Sequence, residues 1–169
     1  RLNGLFCLGG SIDGGGDVTA TAEFNIFADP EAARNVLLSP APKTLIPLEV
    51  ARSPVLTFDL FDRLFDTPTG PLSDFLARLL PFALRAHHQH LGLEGVPLSE
   101  VAALFAITMS NRCIMERMAV DVETSGELTR GMTVFDRRGT PQWQTNIDVV
   151  RELDPQSVLD YFSGIVRRA

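Results

Sequence analysis

Cysteine is scarce in this sequence, with only Cys7 and Cys113 among 169 residues. Both lie in apolar surroundings without a CxxC or Cys/His spacing, so the pattern predicts buried free thiols rather than a disulfide framework or a zinc site. Long hydrophobic runs are also lacking, because the longest, near residues 101–109, is far too short to cross a bilayer. We therefore expect no membrane partner.

Positive charge is limited as well, since the 15 basic residues form no long stripe and the net charge is −6. Proteins that bind nucleic acids present such stripes to the phosphate backbone. The charge pattern therefore argues against nucleic acid as the main partner and favours a neutral or cationic ligand. No signal-peptide pattern is visible, which makes the cytoplasm the expected location.

The domain organisation is simple, because no internal repeat, linker or low-complexity tract interrupts the sequence. A chain of this length corresponds to about one domain. It opens on Arg1 and runs almost at once into the apolar segment LFCL, whereas a natural domain rarely begins inside its core. We expect residues 1–169 to form a single domain or the C-terminal portion of one, and the chain to be a fragment or a processed product.

Predicted strands alternate with predicted helices, which indicates an α/β fold with a mixed sheet flanked by helices. Asp29-Pro30 and Asp154-Pro155 each place a capping carboxylate before a proline at the first helical position. The predicted strands are 5–8, 44–50 and 147–150, with a hairpin of 115–123 and 128–135. The predicted helices are 55–65, 71–90 with a bend at Pro81, 99–109, and one after each cap.

A glycine-rich stretch, GGSIDGGGDVTATAEFNIFADPEAA, follows the first predicted strand. Glycine lets the backbone turn through conformations closed to other residues and lets a ligand approach closely. Asp17, Glu23 and Asn25 then supply carboxylate oxygens and an amide. This combination suits a ligand rich in hydroxyl groups or a hard cation, and the alternative is a surface turn that precedes a helix.

Three stretches resemble the inosine-uridine-preferring nucleoside hydrolase family, and together the resemblance covers nearly the whole chain. The first is LGGSIDGGGDVTATAEFNIFADPEAA and the third is VDVETSGELTRGMTVFD, both specific at this length. Between them lies LGLEGVPLSEVAA, which is recognisable mainly by its place. The resemblance implies a nucleoside hydrolase-like fold that is incomplete in this chain.

The activity that this resemblance implies is calcium-dependent cleavage of the N-glycosidic bond of a ribonucleoside, which gives ribose and a free base. The family's glutamate and asparagine that hold ribose hydroxyls match Glu23 and Asn25. The family usually has asparagine where this chain has Asp17, so a contact to the ribose 5′-hydroxyl is implied there in altered form. A carboxylate and an amide together satisfy vicinal hydroxyls as acceptors and donors.

Two departures from the family pattern bear on catalysis. The Asp-rich motif that supplies most calcium ligands and the general base is absent from this chain. A histidine-aspartate pair is replaced by Ser99 and Glu100. Glu100 keeps a hard oxygen donor that suits calcium, whereas a serine hydroxyl has no proton to give near neutral pH in the way that an imidazolium does.

These positions also have structural interpretations. Ser99 follows Pro97-Leu98 and suits a helix cap, and Glu100 in the first turn favours the positive end of the helix dipole. His87, His88 and His90 suggest a metal cluster, but their spacing at a helix end is poor for one. The resemblance offers another role for His87, which is to face the base.

Two functional hypotheses follow. In the first, the chain is the C-terminal half of a nucleoside hydrolase that binds a nucleoside or ribose, and the isolated chain is inactive because the N-terminal half carries the calcium aspartates. In the second, it is a non-catalytic homologue that binds a ribosyl ligand or a protein partner. The family is often oligomeric, which leaves a homo-oligomer open.

Overall fold

The main sheet has four strands in the order β1-β2-β8-β5. The computed structural model describes residues 3–67 and 69–168. Strands β1 (Leu5–Leu8), β2 (Lys43–Ile46) and β8 (Ile147–Glu152) are parallel, and β5 (Ile114–Met118) runs antiparallel to β8. The predicted mixed α/β sheet flanked by helices is therefore confirmed.

The helices that follow Asp29 and Asp154 begin at these capping side chains. Asp29 accepts a hydrogen bond from the Ala32 N–H at 2.9 Å, and Asp154 accepts from the N–H groups of Gln156 and Ser157. Proline occupies the first turn in both cases. The helices are α1 (Phe24–Ala28), α2 (Pro30–Leu38), α3 (Leu48–Ala51), α4 (Phe58–Phe65), α5 (Pro71–Leu91), α6 (Ser99–Thr108) and α7 (Pro155–Val166), and Ser110–Arg112 form a short 3₁₀ turn.

Two predicted elements are divided in the structure. The strand predicted over 44–50 ends at Ile46, because Pro47 has no N–H for the ladder and instead precedes α3. The helix predicted over 55–65 begins as β3 (Val55–Thr57) and becomes α4 only after Thr57. The Thr57 hydroxyl accepts a hydrogen bond from the Leu60 N–H at 3.2 Å, which fixes the start of that helix.

The hairpin predicted from 115–123 and 128–135 is wrong for its first half. The segment divides at Ala119, so β5 joins the main sheet and only β6 (Val120–Val122) pairs with β7 (Thr133–Phe135). A further antiparallel pair joins β3 to β4 (Gly95–Pro97). Only Met118 of β5 is buried, whereas β6 buries Val120 and Val122.

Apolar side chains cover both faces of the main sheet. Leu45, Ile147 and Val149 pack into one buried cluster, while Ile46 and Val150 pack into another against α6. Cys7 and Cys113 are free, as predicted, but only half-buried, and burial raises the pKa of both thiols. Within the described residues, no helix has the length and apolarity needed to cross a membrane. The layers leave the carboxyl end of β1 open toward the start of α6.

Candidate functional site

Two glycines let the chain turn at the end of β1. Gly9 has φ +150° and Gly10 has φ +70°, conformations that side chains disfavour. A Cβ at Gly9 would lie 2.8 Å from Oε2 of Glu23, and one at Gly10 would lie 2.7 Å from the Thr133 side chain. The absence of side chains therefore lets the Glu23 carboxylate approach the backbone directly.

Glu23 is buried, and its carboxylate caps α1. Its oxygens accept hydrogen bonds from the backbone N–H groups of Gly10 at 2.9 Å, Asn25 at 3.0 Å and Ile26 at 3.1 Å. A carboxylate offers roughly four acceptor positions, so the three backbone donors leave about one for a ligand. Glu23 thus ties the glycine loop to α1 and still presents an oxygen at the site.

Asn25 lies on α1, and its side chain reaches the end of β1. Its side-chain amide donates to the Leu8 carbonyl at 3.2 Å. This bond turns the amide group toward the end of β1 and leaves the amide oxygen as an acceptor for hydroxyl groups.

Asp17 has both carboxylate oxygens engaged. Oδ1 accepts from the Phe24 N–H at 2.8 Å, and Oδ2 lies 2.8 Å from Nη2 of Arg52. Sequence reasoning missed Arg52, because nothing in its local pattern points to a partner 35 residues away. The ion pair compensates the charge of Asp17 at the edge of the site.

These residues line one cavity of about 310 Å³. It brings Asp17, Glu23 and Asn25 together with Ser99 and Glu100, which follow more than seventy residues later in the sequence. The other lining residues are Leu8, Gly9, Phe24, Leu48, Ala51 and Arg52. One wall carries carboxylate and amide oxygens, and the exposed ring of Phe24 lies beside them. This combination suits a small polar ligand that carries a ring.

Helix α6 brings Ser99 and Glu100 to the cavity, but Ser99 does not cap it. The N-cap is Leu98, and no side chain forms a capping hydrogen bond there. The capping interpretation of Ser99 is therefore wrong. Glu100 lies in the first turn and is exposed to the cavity and solvent. Within residues 3–67 and 69–168 its carboxylate makes no hydrogen bond or ion pair.

Calcium typically takes about six to eight oxygen ligands. Asp17 accepts from two protein donors and Glu23 from three, whereas Glu100 accepts from none in the described residues, which leaves Glu100 as the carboxylate of this cavity best able to bind a cation. No cluster of three or more His, Cys, Asp or Glu residues suited to a metal is found in the described part of the chain. These residues therefore fit calcium only as a partial ligand set.

The histidines at the end of α5 have separate surroundings. Nδ1 of His87 lies 3.0 Å from the Ala83 carbonyl oxygen, and His88 lies 3.5 Å from Glu94. His87 lines a second cavity of about 290 Å³ that adjoins the first through Asp17 and Arg52. A base that contacts His87 would therefore lie in this neighbouring cavity. It would not lie against the wall formed by Glu23 and Asn25.

Comparison with known proteins decides the family. The model of the inosine-uridine preferring nucleoside hydrolases matches residues 1–160. The chain belongs to this family. Pyrimidine-specific ribonucleoside hydrolase RihB of Escherichia coli is 30% identical over 166 residues, which cover 98% of this chain and 51% of RihB.

Solved structures of the family share the fold. An inosine-guanosine nucleoside hydrolase superposes with a TM-score of 0.78 at 27% identity, over 94% of this chain and 50% of that one. A purine-preferring ribonucleoside hydrolase from Gardnerella vaginalis superposes with a TM-score of 0.80 at 27% identity, over 95% of this chain and 52% of that one. The chain therefore spans about half the length of these relatives.

Proposed function

We propose that this chain forms the ribose-binding half of a ribonucleoside hydrolase, which cleaves the N-glycosidic bond to release ribose and a free base. The observation that carries the proposal is the single cavity that joins Asp17, Glu23 and Asn25 to Glu100. Family membership supports the reaction class. The relatives include pyrimidine-specific and purine-preferring enzymes, so the proposal extends to ribonucleosides as a class.

The sugar is held by hydrogen bonds to its hydroxyl groups. The remaining acceptor position of Glu23 and the amide oxygen of Asn25 accept hydroxyl protons, while the Leu8 bond keeps the Asn25 amide in place. Asp17 and Arg52 form the wall beside them and limit the space for substituents on the sugar. The chain's part in the reaction is therefore to bind and orient the ribosyl group.

Glu100 is the residue of this chain that we assign to calcium. When bound, calcium lowers the pKa of a coordinated water and thereby supplies the nucleophile for hydrolysis. Glu100 would hold the ion through its carboxylate at the start of α6, and the other ligands would come from polypeptide outside this chain. The general base would also belong to that polypeptide.

Exchanging Glu100 for glutamine tests this assignment. Calcium binding by the complete protein should weaken by about tenfold or more, because a charged ligand becomes a neutral amide of the same shape. Calorimetric titration with calcium measures the change, and Glu94→Gln, on an exposed loop outside the cavity, is the matched control. Equal calcium affinity in wild type and Glu100→Gln would remove Glu100 from the metal site.

The serine at position 99 leads us to expect a preference among leaving groups. A serine hydroxyl does not protonate a departing base near neutral pH, so this position provides no general acid. The proposal therefore includes a preference for substrates whose leaving group departs without protonation, such as nitrophenyl ribosides over inosine. Equal rates for both substrate types would show that another group acts as the acid.

Exchanging Asn25 for alanine should weaken binding of ribose or a nucleoside by about 1–3 kcal/mol, because a hydroxyl loses its partner in the cavity. Isothermal titration calorimetry on the complete protein measures the effect. Asn111→Ala, an exposed amide in the turn after α6, serves as the control for loss of an asparagine. Unchanged affinity in Asn25→Ala would refute the assignment of the sugar site.

The position of β1 at the edge of the main sheet, within the described residues, supports the proposal of a second half. The residues of β1, LFCL, are all apolar, yet none of them is fully buried, and Phe6 is 42% exposed. Parallel strands are ordinarily covered on both faces and flanked by neighbours. We propose that polypeptide equivalent to the uncovered half of the relatives pairs beside β1 and brings the missing calcium ligands to Glu100.

A non-catalytic homologue that binds a ribosyl ligand or a protein partner is the second candidate. Ser99 favours it, since a protein that has ceased to turn over substrate has no need of an acid at this position. The hydrolase requires the cavity at Glu23 and Asn25 to bind a ribosyl group, as does the non-catalytic homologue in its ribosyl-binding form. They differ in turnover, which an assay with calcium and the complete protein measures.

A further inference from the structure

Ser11, the residue that follows the two glycines, is held by a side chain from a distant part of the sequence. It is only 2% exposed, although it lies in the loop after β1. Oγ1 of Thr133 accepts a hydrogen bond from the Ser11 N–H at 2.9 Å and donates to the Ser11 carbonyl at 2.8 Å. A single hydroxyl therefore satisfies both backbone groups of Ser11 in a place that water does not reach.

Thr133 reaches Ser11 from β7, which belongs to a two-stranded sheet and not to the main sheet. It is 3% exposed, and its methyl group lies beside Gly10, where a Cβ would come within 2.7 Å of Cγ2. Threonine is stiff at χ1, so this buried side chain presents its hydroxyl and its methyl in one orientation. Thr133 thus contacts two consecutive residues of the loop.

Glu49 of α3 holds the side chain of the same residue. The Ser11 hydroxyl donates to Oε1 of Glu49, and that oxygen also accepts from the Asp13 N–H at 3.1 Å. Residues Leu48 and Ala51 of the same helix line the cavity that contains Glu23 and Asn25. The loop is therefore attached to α3 on one side and to β7 on the other.

The glycine turn depends on these contacts, because glycine itself adopts many backbone conformations. The Gly10 carbonyl accepts from the Leu48 N–H at 2.8 Å. This carbonyl and the Ser11 N–H belong to one planar peptide group. The bond from Ser11 to Thr133 therefore fixes the same peptide plane from its other side.

The glycine turn in turn affects the Glu23 carboxylate. The Gly10 N–H donates to Oε2 of Glu23 at 2.9 Å, and it is one of the three backbone donors of that carboxylate. Neither Thr133 nor Ser11 lines the cavity. Thr133 can therefore influence Glu23 only through the loop.

We propose that Thr133 is a positioning residue of the sugar site. Its hydroxyl holds Ser11, and thereby Gly10, so that the Glu23 carboxylate is presented to a ribosyl hydroxyl in a fixed place. A site whose groups are held in position before the ligand arrives loses less conformational entropy on binding. This inference rests on the proposed function, because its ligand is the ribosyl group of that proposal.

Exchanging Thr133 for valine tests this role. Valine has nearly the same shape and keeps a methyl group against Gly10, but it offers Ser11 neither a donor nor an acceptor. We expect the affinity of the complete protein for ribose to fall by about tenfold, because the support of the Glu23 carboxylate is loosened. Calorimetric titration with ribose measures the change. Thr133→Ser keeps the hydroxyl and should restore most of the affinity.

Val166→Ala is the control for a loss of stability alone. Val166 is 1% exposed and packs with Leu56 and Phe162 in a buried cluster, no member of which lines the cavity of Glu23. This variant should melt at a lower temperature than wild type and bind ribose as wild type does.

Amide hydrogen exchange in the 169-residue chain provides a measurement that needs no ligand. Exchange of the Gly10 N–H, compared with the amides of β8, should be about tenfold faster in Thr133→Val than in wild type or Thr133→Ser. Val166→Ala should leave this ratio unchanged. Where the valine variant does not fold, Thr133→Cys, whose thiol is a weak donor and acceptor, should show the same two changes to a smaller extent.

The outcomes separate this inference from the proposed function. A wild-type protein that does not bind ribose would refute the proposed function, and the Gly10 amide would still show whether Thr133 holds the turn. Unchanged ribose affinity or unchanged Gly10 exchange in Thr133→Val would overturn the inference. An equal loss of affinity in Thr133→Ser or in Val166→Ala would also overturn it, because the hydroxyl would then have no special part.

Discussion

Replacing Glu23 by alanine should lower the free energy of unfolding by about 3–5 kcal/mol, because it leaves the N–H groups of Gly10, Asn25 and Ile26 without their acceptor. Each buried donor that loses its partner costs about 1–3 kcal/mol. Glu23 is only 5% exposed, so water reaches the vacated position poorly. The loss combines a missing helix cap with a loosened glycine loop.

Urea denaturation followed by circular dichroism measures this change. Glu31→Ala is a suitable control, because Glu31 is an exposed glutamate on the neighbouring helix α2 and is paired with Arg130 at the surface. Exposed ion pairs of this kind contribute about 0–1 kcal/mol. Equal unfolding free energies for the two variants would contradict the structural role of Glu23.

Replacing Gly16 by alanine should destabilise the fold by about 3 kcal/mol, because the new methyl group would collide with backbone. A Cβ at Gly16 would lie 2.3 Å from the Thr19 carbonyl oxygen and 2.4 Å from both the N and O atoms of Ala22. Backbone atoms cannot rotate out of the way as a side chain can. The loop that carries Asp17 to the cavity must therefore shift in this variant.

Gly15 provides the control for that experiment. No heavy atom lies within 4 Å of a Cβ built at Gly15, and its φ lies outside the left-handed region. Gly15→Ala should therefore leave the unfolding free energy within about 0.5 kcal/mol of wild type. A loss of similar size in both alanine variants would show that flexibility of the glycine run, not packing at Gly16, governs stability.

Much of the fold follows from local signals in the sequence. The caps Asp29 and Asp154 and the prolines after them determine helix starts, and the apolar run Leu5–Leu8 forms a strand as expected. The errors arise where tertiary pairing decides the outcome. The segment 115–123 has one continuous pattern, but its two halves pair with different strands.

The site was predictable only in part. The glycine run and the AEFN motif point to Glu23 and Asn25, and the structure places both in one cavity with Asp17, although their roles in binding remain predictions. Arg52 was not predictable, because its contact with Asp17 depends on the packing of α3 against the glycine loop. The Glu23 carboxylate also caps α1, and no spacing in the sequence indicates this second role.

The central claim is that this chain supplies the sugar-binding half of a nucleoside hydrolase, and nucleoside hydrolysis tests it most directly. The assay compares the 169-residue chain with the same chain coexpressed with polypeptide equivalent to the uncovered half of its relatives, in the presence of calcium. We predict turnover only in the coexpressed form, with loss of turnover after calcium chelation and diminished turnover at subsaturating substrate in Asn25→Ala. Turnover by the isolated chain, or undiminished turnover by the coexpressed Asn25→Ala variant, would contradict the account.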